Sequence, residues 1–345
     1  MNIKKIGLSA LAGSLAMFSA NAVEVAVSGK TEITYAKKET GSNGNPFGMG
    51  NALTFSGSGD VNGMTATYTA VLGDGGQANS NTSETFASSS LMLDMGDLGT
   101  IGFDQGVGEF GVSTIDDKTP YAYEEQWTYV GTSNGLTAAG GTNVVGYKNS
   151  YAGYNLSLEI DPGHTNNSSS GSTGDGGNTG ANADDSGWNV AITSGFGVDG
   201  LNAGVGHGEE SHDSTDAQNS DLSAKKRDSQ FQTAFVTYAI EGTGLTLGAQ
   251  RSSNQTEVTN GAESEVEIYG ASFSVNENLA VSYSMMDREV GKAGAKHVTE
   301  ETKGLGASYT MGSAAVRVLL ADGDNIGGVT GVDNEHMEVS LMLAF

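Results

Sequence analysis

The sequence predicts an all-β fold, a transmembrane antiparallel β-barrel of about sixteen strands occupying residues 23–345. Three observations carry that expectation. The chain closes on an alternating strand: Met337, Val339, Leu341, Leu343 and Phe345 share one face, and Glu338, Ser340, Met342 and Ala344 share the other. A strand's side-chain period of 2 makes one face greasy and the other mostly polar or small. The amino terminus carries an export leader. Between the two ends, hydrophobic residues make up only 37% of the chain, a shortage for a soluble domain of this length that a wet-centred barrel with a thin apolar belt resolves.

The leader is read from its order of parts. Met1 to Lys5 brings two positive charges, Ile6 to Phe18 is an apolar run, and Ser19-Ala20-Asn21-Ala22 supplies small residues for a cut after Ala22. That is a secretory signal peptide over residues 1–22, with an apolar core too short to span a bilayer. No later segment approaches the ~20 apolar residues of a membrane helix. The chain has no cysteine, so no disulfide staples it.

Strands follow one another from Val23. Val25, Val27, Thr31, Ile33 and Tyr35 mark the first, Leu53 and Phe55 the second. Asp60-Val61-Asn62-Gly63 is a tight hairpin, because asparagine and glycine tolerate the positive φ that such turns require. Met64 to Leu72 makes the third strand and Leu91 to Met95 the fourth. Gly96-Asp97-Leu98-Gly99 turns into the fifth, with Ile101 and Phe103. Val145 and Tyr147 mark the sixth, which turns through 149–153 into Tyr154, Leu156, Leu158 and Ile160. Trp188 to Ile192 and Leu201 to Val205 follow, then Ala234 to Tyr238 and Leu245 to Ala249 across Glu241-Gly242-Thr243-Gly244. Tyr269 to Val275 turns through Asn276-Glu277-Asn278 into Leu279 to Met285. Leu305 to Met311 and Val316 to Leu320 meet across Gly312-Ser313, and the acidic stretch 321–334 leads into the closing strand.

An even count returns both termini to one side, so the first and last strands can pair and leave no edge. Hydrocarbon makes that closure obligatory, since it offers nothing to unpaired backbone amides. Short connections alternate with long ones, as periplasmic turns and external loops do. Tyr35, Tyr68, Tyr154, Tyr238, Tyr283 and Tyr309 near strand ends are candidates for interfacial girdles.

Taken together, the signal ending Ala20-Asn21-Ala22, the opening Val25-Ala26-Val27-Ser28-Gly29, the segment Met95 to Phe103 and the closing Leu341 to Phe345 resemble a Gram-negative general porin of the alphaproteobacterial type. The resemblance implies a homotrimer of water-filled channels in the cell outer membrane, passing small hydrophilic solutes and ions by diffusion. It implies that Phe345 is part of the signal read by the barrel-assembly machinery. It also implies that the third external loop, here Gln105 to Thr142, folds into the pore. Glu109, Asp116, Asp117, Lys118, Glu124 and Glu125 of that loop are the candidate constriction, with Phe110, Tyr121, Tyr123, Trp127 and Tyr129 to anchor it. Porins of this kind set a basic cluster on the wall against the loop. Lumen parity selects Lys30, Lys148 and Arg317, the first and last neighbours through closure, while Arg251 and Lys303 take the lipid parity. Arginines are few here, which weakens the expected cluster.

The formal charge is −25, or −27 once Lys4 and Lys5 leave with the leader. Nucleic acid and acidic lipid head groups are poor partners for such a field, and cations are favoured ones. Carboxylates in excess at the constriction predict cation preference. No enzyme is expected, since no Gly-x-Ser-x-Gly elbow on a strand-to-helix turn accompanies the serines. No cofactor is expected; Asp184-Asp185, Glu209-Glu210 and Asp322-Gly323-Asp324 are where hard oxygen ligands could hold calcium, if these acids do more than solvate loops. The other readings are a substrate-selective channel on the same barrel and a surface β-rich adhesin or structural protein.

Overall fold

The computed structural model describes residues 25–38, 44–73, 86–128, 130–131, 142–162, 186–211, 229–256, 262–292 and 298–345. The leader, Tyr129 and Asp184-Asp185 lie outside them. Sixteen strands run in chain order: β1 (Val25–Lys38), β2 (Phe47–Val61), β3 (Met64–Gly73), β4 (Phe86–Asp94), β5 (Thr100–Gln105), β6 (Thr142–Tyr151), β7 (Tyr154–Asp161) and β8 (Ser186–Ser194). They continue as β9 (Leu201–Ser211), β10 (Ser229–Ile240), β11 (Leu245–Thr256), β12 (Ala262–Ser274), β13 (Leu279–Lys292), β14 (Val298–Met311), β15 (Ala314–Asp324) and β16 (Asn334–Ala344). Each pairs antiparallel with its neighbours in sequence, and β1 pairs with β16 to close the barrel.

The predicted order and count of strands are those observed. Asn62 and Gly63 both take positive φ and make a two-residue hairpin between β2 and β3. One turn differs from expectation. Residues 149–151 belong to β6, and Ala152 and Gly153, both at positive φ, complete the reversal alone. Tyr151 pairs with Tyr154 across it, so the ladder outlasts its apolar signal.

Closure is sealed at the carboxy terminus. Gly29 N–H donates to the Phe345 carbonyl at 2.7 Å, and Phe345 N–H donates back to the Gly29 carbonyl at 2.9 Å. The expected tyrosine girdle residues all point outward and stand 36–50% exposed.

The packed core lies inside the barrel, between the wall and the third loop. Val112 and Ile115 pack with Ala191, Phe231 and Phe235. Trp127 packs with Val266, Ile268 and Met286, and Val130 packs with Leu319 and Ala321. The wall residues in these clusters have inward parity, so β10, β12 and β15 are apolar on both faces. A dry patch at the wall is what a loop without its own sheet or helix needs in order to stay put, each buried large side chain contributing about 1.5–3 kcal/mol.

Candidate functional site

The third loop leaves β5 at Gln105 and re-enters the wall at Thr142. It is described through residue 128 and at 130–131. Asp104 starts it, accepting hydrogen bonds from Val107 N–H (2.7 Å) and Glu109 N–H. A short 3-10 turn at Gly111–Ile115 crosses the inner faces of β7 to β9. Buried backbone amides must find partners, and wall side chains provide them. Gly111 N–H donates to Ser157 Oγ and Val112 N–H to Asn189 Oδ1, both at 2.8 Å. Gln250 takes Lys118 N–H at 2.9 Å and gives its own amide to the Ile115 carbonyl at 3.1 Å. Ala122 N–H reaches Ser282 Oγ at 2.8 Å.

Glycines on the inner face make the bed that lets the loop lie this close. A β-carbon at Gly206 would meet Val112 at 2.8 Å, and one at Gly304 would meet Gln126 at 2.6 Å. At Gly146 it would fall within the ring of Phe110. The chain holds 52 glycines, and those on the inner face clear a track for the loop.

The predicted site residues fall into two sets. Glu109, just after the loop leaves β5, pairs with Lys148 of β6 at 2.7 Å. Asp116 and Asp117 sit side by side and hydrogen-bond to each other. Burial raises both carboxyls, and the pressure of Asp116 and Glu125 helps push Asp117 up to about 8, against the relief that Lys118 offers. Glu124 is raised to about 7, by burial first and then by Glu125, Glu338 and Glu32. Glu125 accepts from Thr128 Oγ1 at 3.1 Å. Among the described residues, no cation comes within ion-pair distance of Asp116, Asp117, Glu124 or Glu125.

The basic wall differs from the expectation. Arg317 does not cluster with Lys30: it pairs with Glu32 of β1 at 2.6 Å and lies over the Tyr123 ring at 4.5 Å. Lys30 pairs in register with Ala344, four ladder positions from Thr34, the partner of Arg317's neighbour Ser340. It is exposed to the lumen toward the short-turn mouth. Lys148 and Arg317 thus neutralise single carboxylates at either end of the loop track, and among the described residues no basic cluster faces the loop. Arg251 and Lys303 point outward as predicted, held by Glu265 and Glu267 and by Glu301.

Beyond the expected anchor Tyr123, several participants were missed. Tyr123 is the loop's far anchor; its one hydroxyl proton lies between Glu338 and Glu32, and burial with these carboxylates keeps the hydroxyl protonated. His336 lies buried within 3.6 Å of Glu338. Arg288 points inward and pairs with the fully buried Glu300 at 3.4 Å. The inward parity of Glu32, Arg288 and Glu338 is readable in the sequence, but their pairing across strands is not. The residual wall, β1 to β5, presents Thr34, Thr54, Ser56, Thr67 and Thr69 inward, all of them partly solvent-accessible. Glu209 and Glu210 point to opposite faces of β9 and cannot converge on one ion. The described residues contain no group of three His, Cys, Asp or Glu side chains arranged to hold a metal.

The barrel is similar to solved outer-membrane structures. The trimer form of OmpT, an outer membrane protein of Vibrio cholerae, matches with TM-score 0.66 and 13% identity, over 94% of this chain and all of that one. An anion-selective porin from Comamonas acidovorans matches with TM-score 0.63 and 16% identity, over 93% of this chain and 99% of that one. A mutant of the Rh. blastica porin matches with TM-score 0.62 and 12% identity, over 93% of this chain and all of that one. At these identities the fold is what is shared. No protein-family model matches the chain, and no curated protein sequence does.

Proposed function

We propose that this protein is an outer-membrane porin: a homotrimer of water-filled channels through which small hydrophilic solutes and ions diffuse, with cations preferred. The observation that carries the reading is the third loop. Its described part is clamped inside the barrel and brings four carboxylates, with no ion-pair partner among the described residues, opposite a wall of hydroxyls. Fixed charge of one sign in a narrow aqueous passage raises the local concentration of counter-ions and repels co-ions. Similarity in fold to an anion-selective porin is no obstacle, because charge placement rather than strand topology sets the sign of selectivity.

Purified protein in a planar bilayer tests this. Stepwise ohmic conductance is expected, with a reversal potential of cation-selective sign under a potassium chloride gradient. Absence of conductance would overturn the channel reading, and an anion-selective sign would overturn the cation preference alone. Liposome swelling with neutral sugars of rising size separates a general pore, whose rates fall smoothly with size, from a substrate-selective one.

A further inference from the structure

We infer that Gln250, a neutral residue of β11, is the positioning residue that holds Asp116 and Asp117 against each other and so sets the charge the passage carries. The inference rests on the channel reading and adds the residue that regulates its site. Gln250 is 3% exposed on the inner face of β11, in register between Phe235 and Ile268. Its amide brackets the four residues from Ile115 to Lys118. The oxygen accepts Lys118 N–H at 2.9 Å, and the nitrogen donates to the Ile115 carbonyl at 3.1 Å. The second amide proton goes to Thr233 Oγ1 at 3.2 Å, and Thr233 is itself tied to Ser252 at 2.9 Å. Both donors and the acceptor of the side chain are therefore in use.

The bracketed residues need holding. Asp116 has φ −67° and ψ 146°, and Asp117 has φ 49°. That is the order of a type II turn, whose third residue is ordinarily glycine or asparagine. Such a turn often closes on a bond from its fourth N–H to its first carbonyl. Here both groups are engaged by the wall amide. The next residues lie over glycine: a β-carbon at Gly270 would meet the Pro120 carbonyl oxygen at 2.9 Å, and one at Gly248 would strike the Pro120 ring. Proline has no N–H to satisfy there. Tyr121 hydroxyl donates back to the Asp117 carbonyl at 3.2 Å.

Charge plays no part in this placement. The inner faces of β10, β11 and β12 hold only uncharged side chains. The ionisable groups that act on Asp117 come from the loop itself: Asp116, Glu125 and Lys118, with Tyr121 alongside. An arginine in place of Gln250 could hold the same turn, but it would cancel the charge it presents. An amide fixes two carboxyls without neutralising either. Asp116 and Asp117 hydrogen-bond to each other, which two carboxyl groups do only by sharing a proton. A turn released from Gln250 lets them part and reach water, and each then ionises in the ordinary carboxyl range.

Infrared absorption of protonated carboxyls, recorded on the purified barrel from pH 5 to 9, tests this. In the wild type, the band that Asp117→Asn removes should persist to about pH 8. Gln250→Leu should lower its midpoint by about two pH units or more, in protein that keeps heat-modifiable gel mobility. Gln250→Asn, whose amide falls one methylene short of its partners, should lower it part of the way and serves if the leucine variant does not fold. Ser282→Ala, which frees Ala122 N–H elsewhere on the loop, should leave the midpoint in place. An unmoved midpoint in the folded Gln250 variants would overturn the assignment, as would an equal drop in Ser282→Ala. The band reports on the turn whether or not current flows. A barrel that gives these shifts and never conducts fails the channel reading alone, and a conducting barrel without them fails this one alone.

Discussion

Phe110 of the third loop occupies the space that a side chain at residue 146 would fill, and the missing β-carbon of Gly146 on β6 is what lets the loop begin its path against the wall. Lys148, two residues further on, stands over the same ring at 5.4 Å while it holds Glu109. Gly146→Leu should expel Phe110 and detach the start of the loop. The expected result is larger single-channel conductance and weaker ion discrimination, with an overpacking cost of about 1–3 kcal/mol. Unchanged conductance in a folded variant would show that the loop does not limit the pore.

Selectivity should depend on pH in a defined window. Asp117 sits at about 8 and Glu124 at about 7, against ordinary values of 3.8 and 4.5. Both groups are therefore mostly neutral at pH 6 and charged at pH 9, so cation preference should climb between those limits. Raised carboxyls favour the fold while protonated: their contribution is complete below about 4, where the unfolded chain also holds its protons, and is lost as pH rises through 7 to 8. Reversal potentials from pH 5 to 9 check the first claim, and Asp117→Asn should flatten the upper part of the curve. A flat wild-type profile contradicts both.

Removing a wall cation should sharpen the preference rather than abolish it. Lys148→Met leaves Glu109 uncompensated on the loop. The pair is partly exposed, so about 1 kcal/mol or less of stability is at stake. Its signature is electrical: a reversal potential shifted further in the cation-selective direction at constant ionic strength. A shift toward anions would mean that Glu109 does not act on the passage.

Deleting Phe345 removes both hydrogen bonds to Gly29 at the closing seam. At about 0.5–1.5 kcal/mol each, about 1–3 kcal/mol of closure is lost, together with the ring that packs beside residue 29. Unfolding in urea should begin at lower concentration, and less folded protein should reach the membrane. If the fold is intact but delivery fails, Phe345 acts mainly as an assembly signal.

Much of the barrel was legible because a strand's period of two and a turn's need for positive φ are local properties. Asn62-Gly63 announces its hairpin, and the inward parity of Lys148 and Arg317 follows from their neighbours. The extension of β6 to Tyr151 was not legible: Asn149 and Ser150 carry no apolar signal, and only pairing with Asn155 and Leu156 makes them strand. The same holds for the wall charges. Arg317 and Glu32 are 285 positions apart in the chain and meet only because β1 and β15 both flank β16.

The sequence alone therefore determined the strands, their number, their two faces and the long third connection, since each depends on residues close together along the chain. Tertiary structure decided where that connection lies and which charges stay uncompensated. Ser157, Asn189, Gln250 and Ser282 become clamps, and Gly206 and Gly304 become clearance, only once barrel closure carries the loop across strands distant in sequence; inward apolar residues such as Phe231, Ile268 and Leu319 mark its bed, and their purpose appears when the loop lies on them.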